Sequence, residues 1–366
     1  QPSDLAIHAA QRLARSFRAG NARKAPAELT GLYLMGSPGS LGHSVASDLD
    51  VWVCHREDLV PSRLAALREK ARRLSQWAAE YGLELNLFVF SADDFRHGRQ
   101  QAEVTTENCG SAQHYLLLDE FYRTAIHLGG RYPLWWLIPA DEERRYRELT
   151  GLLQENRFVR PDEYLDFGAL PSIPVTEFLG AGVWQLYKGI DSPWKSLLKL
   201  LLIECYARDR HNGLLSGEFK RAVYQGTASV DDVDPYVMLY RRLERWLQSL
   251  DAPGRLDLVR RALYLKTGPP LTRAAETATE LRRRVVSELT HSYRLLSRMA
   301  RNDNVRSAIS TADLNLLGRK LYATFQRKAG KIEIINPGIA PSLAEENLSF
   351  WCRSPGAKHP GPAGWL

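Results

Sequence analysis

The first part of the chain combines short apolar runs with one helical pattern. An apolar run at residues 32–35 predicts a strand, a Gly/Ser-rich turn follows it, and a second predicted strand carries Asp48 and Asp50. Apolar residues then recur at helical spacing over residues 63–80, and residues 83–90 alternate in polarity as a third strand. The order strand, turn, strand, helix, strand predicts a small mixed sheet backed by helices.

The rest of the pattern is mainly helical. We predict helices over residues 3–17, 109–130 and 142–156, with a last apolar strand at 134–141. A Pro/Gly-rich passage at 160–174 indicates a domain junction, and helical apolar stripes follow at 235–250, 255–265, 274–300 and 311–328. The sequence therefore predicts an α+β fold. Residues 1–160 form the domain with the sheet, and residues 161–366 form a mainly helical domain with a short C-terminal hairpin (331–335 and 347–352) and a tail.

The turn and the strand after it carry the candidate chemistry. Asp48 and Asp50 are two residues apart on a predicted strand, so their carboxylates point to one face and can hold divalent cations. The glycines of the turn, which begins at Gly36, let the backbone approach a polyanion, and groups around Ser37 can donate to phosphate oxygens. Each half alone is more typical of a simple feature: the turn of an ordinary hairpin, and the Asp-x-Asp of chance. Their joint spacing favours phosphoryl chemistry.

Gly-Ser, ten intervening residues and Asp-Leu-Asp-Val give the pattern of the polymerase β-type nucleotidyltransferases. Three longer stretches resemble class I adenylate cyclases of enteric bacteria: MGSPGSLGHSVASDLDVWVC, ENCGSAQHYLLLDEFYRTAIHLGG and VWQLYKGIDSPWKSLLK. The likeness runs from about residue 30 to residue 266 and resumes at 319–325 and 335–350. The resemblance implies a nucleotidyltransferase-type sheet and conversion of ATP to 3′,5′-cyclic AMP and pyrophosphate.

The same resemblance implies roles for individual residues. Asp48 and Asp50 would hold two Mg²⁺ ions roughly 3.5–4 Å apart, for which Mn²⁺ can substitute. Polymerase β-type enzymes carry a third carboxylate on a neighbouring strand, and Glu84 is the only acid within that predicted strand. An exposed edge position is the alternative for Glu84. Gly36 and Ser37 would position the β- and γ-phosphates.

A predicted helix start supplies basic residues. Ser192 would cap this helix and Pro193 would take its first position. Free amides at a helix N-terminus and a lysine in the first turn make an anion site. In related nucleotidyltransferases the helical domain closes over the nucleotide and contributes basic residues to the triphosphate. Lys195 is therefore the first candidate, and Lys188 and Lys199 are weaker ones.

The predicted helix over residues 109–130 contains further polar side chains. His114 and Arg123 are candidates to face the nucleotide. An internal salt bridge among Asp119, Glu120 and Arg123 is the interpretation that we favour for these charges.

Composition adds expectations about compartment and partners. The net charge of +7 suits an anionic partner, and we expect the nucleotide substrate ATP, because no RNA-binding signature with interleaved aromatics indicates a nucleic acid. Four widely spaced cysteines without a CxxC predict free thiols in the cytoplasm, and no apolar run reaches the ~20 residues of a membrane span. Enteric members of the family carry a larger regulatory C-terminal half, which this sequence lacks. We expect a regulatory protein partner to act through that region.

Two alternative functions stay open. A nucleotidyltransferase that passes AMP to a separate acceptor uses the same metals and the same turn. A catalytically silent nucleotide-sensing module is the other alternative, and the intact pair of Asp48 and Asp50 argues against it.

Overall fold

The computed structural model describes residues 27–44, 47–99, 113–190, 192–226 and 232–267, together with isolated positions between residues 7 and 18. Several predicted elements lie outside these ranges. They are the helices over 274–300 and 311–328, the C-terminal hairpin and tail, most of the helix over 3–17, and the start of the helix over 109–130.

The strands of the described ranges are short. They are β1 (Leu29–Met35), β2 (Leu49–His55), β3 (Leu85–Ser91), β4 (Ile126–Gly130), β5 (Tyr132–Pro133) and β6 (Tyr164–Leu165). The α-helices from residue 27 onward are α1 (Pro61–Glu80), α2 (Ala92–Arg96), α3 (His114–Thr124), α4 (Tyr146–Glu155), α5 (Val175–Lys188), α6 (Pro193–Arg208), α7 (Leu215–Gln225), α8 (Pro235–Ser249) and α9 (Pro253–Thr267).

The main sheet has four strands in the order β3-β2-β1-β4. Strands β2 and β3 are parallel, whereas β1 is antiparallel to both β2 and β4, so the predicted mixed sheet is confirmed. Asp50 on β2 pairs with Met35 at the end of β1 and with Asn86 on β3. This register places the turn between β1 and β2 directly beside the acidic residues.

The helix predicted over residues 109–130 is too long. Helix α3 ends at Thr124, Ala125 has an extended backbone, and Ile126–Gly130 forms the edge strand β4. Gly129 and Gly130 weaken a helix at this point, and pairing with β1 satisfies the backbone groups of the segment. The long-range strand pairing therefore overrides the local helical pattern.

The apolar strand predicted over residues 134–141 is wrong. Leu134–Leu137 and Ala140–Arg145 form 3₁₀ helices, and the charged helix predicted after them begins as α4 at Tyr146. Pro133 and Pro139 flank the first 3₁₀ helix, and proline cannot donate to a strand ladder. A short apolar run does not by itself distinguish a strand from a buried helical turn.

Buried residues form two main clusters. One packs under the sheet around Trp52, whose ring stacks on Phe121 of α3 at a centroid distance of 4.2 Å. The other lies among helices α5, α6, α8 and α9, with α6 buried on almost every side. The chain is mainly helical from residue 175 onward, as predicted, within the described ranges. Among these helices none is both long and apolar enough to cross a membrane.

The start of α5 is joined to the start of α3. The buried carboxylate of Glu177 accepts hydrogen bonds from the backbone N–H groups of Tyr115, at 2.9 and 3.1 Å, and of Leu116, at 3.2 Å. Burial raises the pKa of Glu177 from 4.5 to about 7, although these hydrogen bonds lower it. A titratable group thus holds two elements of the fold together.

Candidate functional site

The turn between β1 and β2 begins beside the acidic pair. Gly36 has φ of +93°, a conformation that favours glycine, and a Cβ at this position would lie 3.9 Å from Asp50 Oδ2. The N–H of Gly36 donates to Thr124 Oγ1 at 3.1 Å. The start of the turn is therefore fixed against the end of α3, next to a carboxylate.

Ser37 has a buried hydroxyl group that makes no hydrogen bond with the other described residues of the site. The residue is 2% exposed, and its Oγ has no hydrogen-bond partner among the described residues. Its carbonyl accepts from the N–H and Oγ of Ser40, at 3.1 and 2.6 Å. Because an unpaired buried hydroxyl costs free energy, Ser37 Oγ is suited to a ligand that supplies the missing partner.

Asp48 and Asp50 lie at the start of β2 and have different partners. Asp48 directly precedes the strand, and its Oδ1 is 3.4 Å from Lys195 Nζ. Asp50 lies inside the strand, and its Oδ1 accepts a hydrogen bond from Asn86 Nδ2 at 3.0 Å. The structure thus brings both predicted carboxylates and the predicted lysine together, and adds an asparagine.

The two carboxylates have opposite pKa shifts. Burial and the nearby charge of Asp48 raise the pKa of Asp50 to about 6, against a smaller lowering by the Asn86 hydrogen bond. Burial also acts to raise the pKa of Asp48, but the ammonium groups of Lys195 and Lys199 bring it below its ordinary value. Two carboxylates that repel each other in a partly buried site are stabilised by a bound cation.

A second ion pair joins α6 to α3. Lys199, one turn after Lys195, donates to Glu120 Oε2 at 2.8 Å. Burial would raise the pKa of Glu120, but Lys199 and Arg123 lower it to about 2. Nε of Arg123 lies 3.4 Å from Oδ2 of Asp119, so the predicted ion pair between these two residues is confirmed. Glu120, the third residue of the predicted salt bridge, pairs with Lys199 instead.

The structure does not bring Glu84 to the acidic pair. Glu84 directly precedes β3, is exposed, and its carbonyl accepts from the N–H of Leu49 at 2.8 Å. Within the described ranges no three His, Cys, Asp or Glu side chains form a group that could hold a metal ion. Asn86 contacts Asp50 instead, and the role of Glu84 stays a prediction.

Lys188 and His114 each lie against an aromatic ring. Lys188 is exposed, with its ammonium 5.4 Å from the centroid of the Trp184 ring. His114 begins α3 and packs against Phe95 at a centroid distance of 4.7 Å. The roles predicted for both side chains at the nucleotide have no supporting contact in the described part of the chain.

The start of α6 follows the prediction except in one detail. Ser192 occupies the N-cap position and Pro193 the first helical position. The predicted N-cap position is therefore confirmed, but the side chain of Ser192 makes no capping hydrogen bond. Its φ of −129° and ψ of 67° depart from the extended backbone usual at an N-cap.

Four residues of this region were missed as site residues: Asn86, Thr124, Asp234 and Tyr236. Tyr236 lies on α8 near the charged side chains of α3 and α6, and burial raises the pKa of its phenol to about 12. Asp234-Pro235 is a readable helix start, but no local signal connects it with a turn 193 residues earlier.

Known protein families match this chain along most of its length. Residues 1–136 match the family described as "Adenylate cyclase NT domain". Residues 173–291 and 274–336 match "Adenylate cyclase, class-I, second domain". No solved structure matches the chain.

Curated relatives support the same assignment. The adenylate cyclases of Salmonella typhimurium strain LT2 and Escherichia coli strain K12 are each 38% identical to this chain over 374 residues, or 92% of this chain and 44% of theirs. The adenylate cyclase of Proteus mirabilis is 37% identical over 376 residues, with 92% and 43% covered. The chain spans less than half the length of these relatives. With both domain descriptions matched in order, the chain belongs to the class I adenylate cyclase family.

Proposed function

We propose that this chain binds ATP and converts it to 3′,5′-cyclic AMP and pyrophosphate. The observation that carries the proposal is the meeting of Asp48, Asp50, the turn at Gly36 and Ser37, and Lys195 at one end of the sheet. The matched relatives are named adenylate cyclase, and they supply the reaction. The geometry supports the choice of these groups.

The residues present fit a divalent cation. Asp48 and Asp50 would hold Mg²⁺, for which Mn²⁺ can substitute, because carboxylate oxygens are preferred ligands and the pair carries mutual repulsion that a cation relieves. The unpartnered hydroxyl of Ser37 offers a further oxygen near the turn. Two such ions, when bound, lower the pKa of the ribose 3′-hydroxyl and stabilise the leaving pyrophosphate.

The chain's own residues would orient the nucleotide. Gly36 lets the backbone of the turn approach the β- and γ-phosphates, the Ser37 hydroxyl donates to them, and Lys195 neutralises charge that develops on the departing oxygen. Lys188 is a weaker candidate for the triphosphate. Cyclisation further requires ATP to bend until its 3′-oxygen is in line with the α-phosphorus.

Glu84 is our proposal for the third carboxylate. Leu49 of β2 pairs with Leu85 of β3. Glu84 immediately precedes Leu85, as Asp48 immediately precedes Leu49 on the neighbouring strand. A rotation of the exposed Glu84 side chain towards β2 would let it complete the metal site or accept the proton of the 3′-hydroxyl.

We place the domain boundary near residue 160 and propose that the helical part closes over the nucleotide. The contact between Lys195 of α6 and Asp48 supports the proposed closure, because it joins the helical region to the acidic strand. A regulatory protein partner acting through a region beyond this chain remains a proposal.

The test is the identity of the product. Purified protein given ATP and Mg²⁺ alone should release cyclic AMP and pyrophosphate in equal amounts, and 3′-deoxy-ATP should bind without reacting, because it lacks the nucleophile. A transferase would instead stay idle until an acceptor was supplied and would then join AMP to it. ATP binding without turnover would identify a sensing module. Either of these two results contradicts the cyclase proposal.

A further inference from the structure

The tip of the turn between β1 and β2 is held by the start of α8. The N–H of Leu41 donates to Asp234 Oδ2 at 2.6 Å. The other oxygen of this carboxylate, Oδ1, accepts from the N–H groups of Tyr236 and Val237 at 2.8 and 3.1 Å. One aspartate therefore caps a helix of the helical region and holds the turn of the sheet.

The side chain of Leu41 strengthens the same contact. It is 6% exposed and forms a small buried cluster with Val237 of α8 and Tyr264 of α9, with Leu265 packed against it. This cluster is separate from the two main cores. A loop tip usually runs over the surface, whereas the Leu41 side chain at this tip is buried with residues of α8 and α9.

Gly42 allows the backbone of the turn to lie on the ring of Tyr236. A Cβ at Gly42 would be closer than 3.0 Å to three atoms of that ring, a distance that real contacts do not show. Any larger residue would push the turn away from α8 unless the aromatic ring moved. Close packing at this point is therefore a requirement on the sequence of the turn.

The turn is thus fixed at two places. Its start is held by the hydrogen bond from Gly36 to Thr124 of α3, and its tip is held by Asp234. Between these anchors lies Ser37 with its buried, unpartnered hydroxyl. The direction of that hydroxyl and of the Gly36 backbone depends on both anchors, because only a few residues separate them.

We propose that Asp234 is a positioning residue: by accepting from Leu41, it holds the Gly36–Ser37 turn in the conformation that binds the phosphates. This inference rests on the proposed function of the turn. It also makes the catalytic geometry depend on how α8 and α9 dock, because residues of both helices share a buried cluster with Leu41.

The main test is Asp234→Ser. Serine is a good N-cap, so α8 remains capped, but its single short hydroxyl cannot also reach Leu41. We expect kcat for cyclic AMP formation to fall and KM for ATP to rise, with kcat/KM reduced at least about tenfold, as for the loss of a hydrogen bond to a charged group. Asp232→Ser is the matched control, because Asp232 is an exposed aspartate two residues away that pairs with Arg241.

Hydrogen exchange provides a readout that does not depend on activity. In Asp234→Ser, amides of residues 36–44 should exchange faster than in the unsubstituted protein, while amides of α8 should keep their protection. Gly42→Ala should make the same amides of the turn exchange faster, because its Cβ would meet the ring of Tyr236, while Asp234 and its accepting oxygens are unchanged. It keeps the inference testable if Asp234→Ser fails to fold.

The outcomes separate this inference from the proposed function. Unchanged exchange of the turn, or faster exchange with unchanged kcat and KM, overturns the positioning role. A lower kcat with unchanged KM, explained by a smaller folded fraction, also overturns it, because that is the result of a purely structural role. If the unsubstituted protein makes no cyclic AMP, the proposed function fails. Weaker binding of a fluorescent ATP analogue by Asp234→Ser would then still support the positioning of the turn, and unchanged binding would overturn it.

Discussion

Lys195→Met removes the ammonium that lies 3.4 Å from Asp48 Oδ1 and keeps an unbranched side chain in the first turn of α6. In the proposed site this charge also meets the triphosphate. A hydrogen bond to a charged group contributes about 1.5–3 kcal/mol, which corresponds to about 10- to 150-fold in a rate or binding constant. We therefore expect kcat/KM for ATP to fall by about 10- to 150-fold.

The assay is steady-state formation of cyclic AMP at varied ATP concentration and saturating Mg²⁺. Lys70→Met is the matched control, because it makes the same chemical change at an exposed lysine of α1. Thermal unfolding of both variants checks that the fold is retained. If kcat and KM of Lys195→Met equal those of Lys70→Met, Lys195 does not act on the nucleotide and its contact with Asp48 is only structural.

Three further predictions address other parts of the molecule. Glu84→Gln should lower kcat strongly with little change in ATP affinity. A normal kcat would indicate that Glu84 is only an exposed residue at the edge of the sheet. Since Glu177 has a pKa raised from 4.5 to about 7, its ionisation as the pH rises through this range should cost up to about 3 kcal/mol of stability. Urea midpoints at pH 5 and pH 8 should therefore differ less in Glu177→Gln than in the unsubstituted protein; equal differences would contradict this. Gly130→Ala should destabilise the fold by about 2 kcal/mol or more, because φ is +88° and its Cβ would meet the Thr30 carbonyl oxygen at 2.5 Å; an unchanged urea midpoint would show that the backbone adapts.

The local pattern of apolar and polar residues was sufficient to predict much of the fold. The order of β1, β2, α1 and β3 follows from the change between strand and helix periodicity, and each of these elements packs on its sequence neighbours. The strand at Ile126–Gly130 was not predictable in this way. It exists because β1 offers a free edge to pair with, and its own residues continued a helical pattern.

The candidate site likewise contains residues that a local motif predicts and residues that only long-range contacts bring in. Asp48, Asp50 and Gly36 belong to one short motif, and Lys195 belongs to a readable helix start, so sequence alone could nominate them. Asn86, Thr124 and Asp234 complete the site through contacts between residues that are 36, 88 and 193 positions apart. Such contacts depend on strand register and helix packing, which a single sequence does not specify.

In the proposed reaction Asp48 and Asp50 form the cation site for ATP cyclisation. Asp50→Asn is the most direct test, because it removes a charged ligand while retaining an oxygen that can accept from Asn86. Burial and Asp48 raise the pKa of Asp50, so removing its charge should not lower the stability of the fold. We predict a folded protein with an unchanged or higher unfolding temperature and no detectable Mg²⁺-dependent cyclic AMP formation. A folded Asp50→Asn protein that makes cyclic AMP at the rate of the unsubstituted chain would contradict the assignment of this cation site.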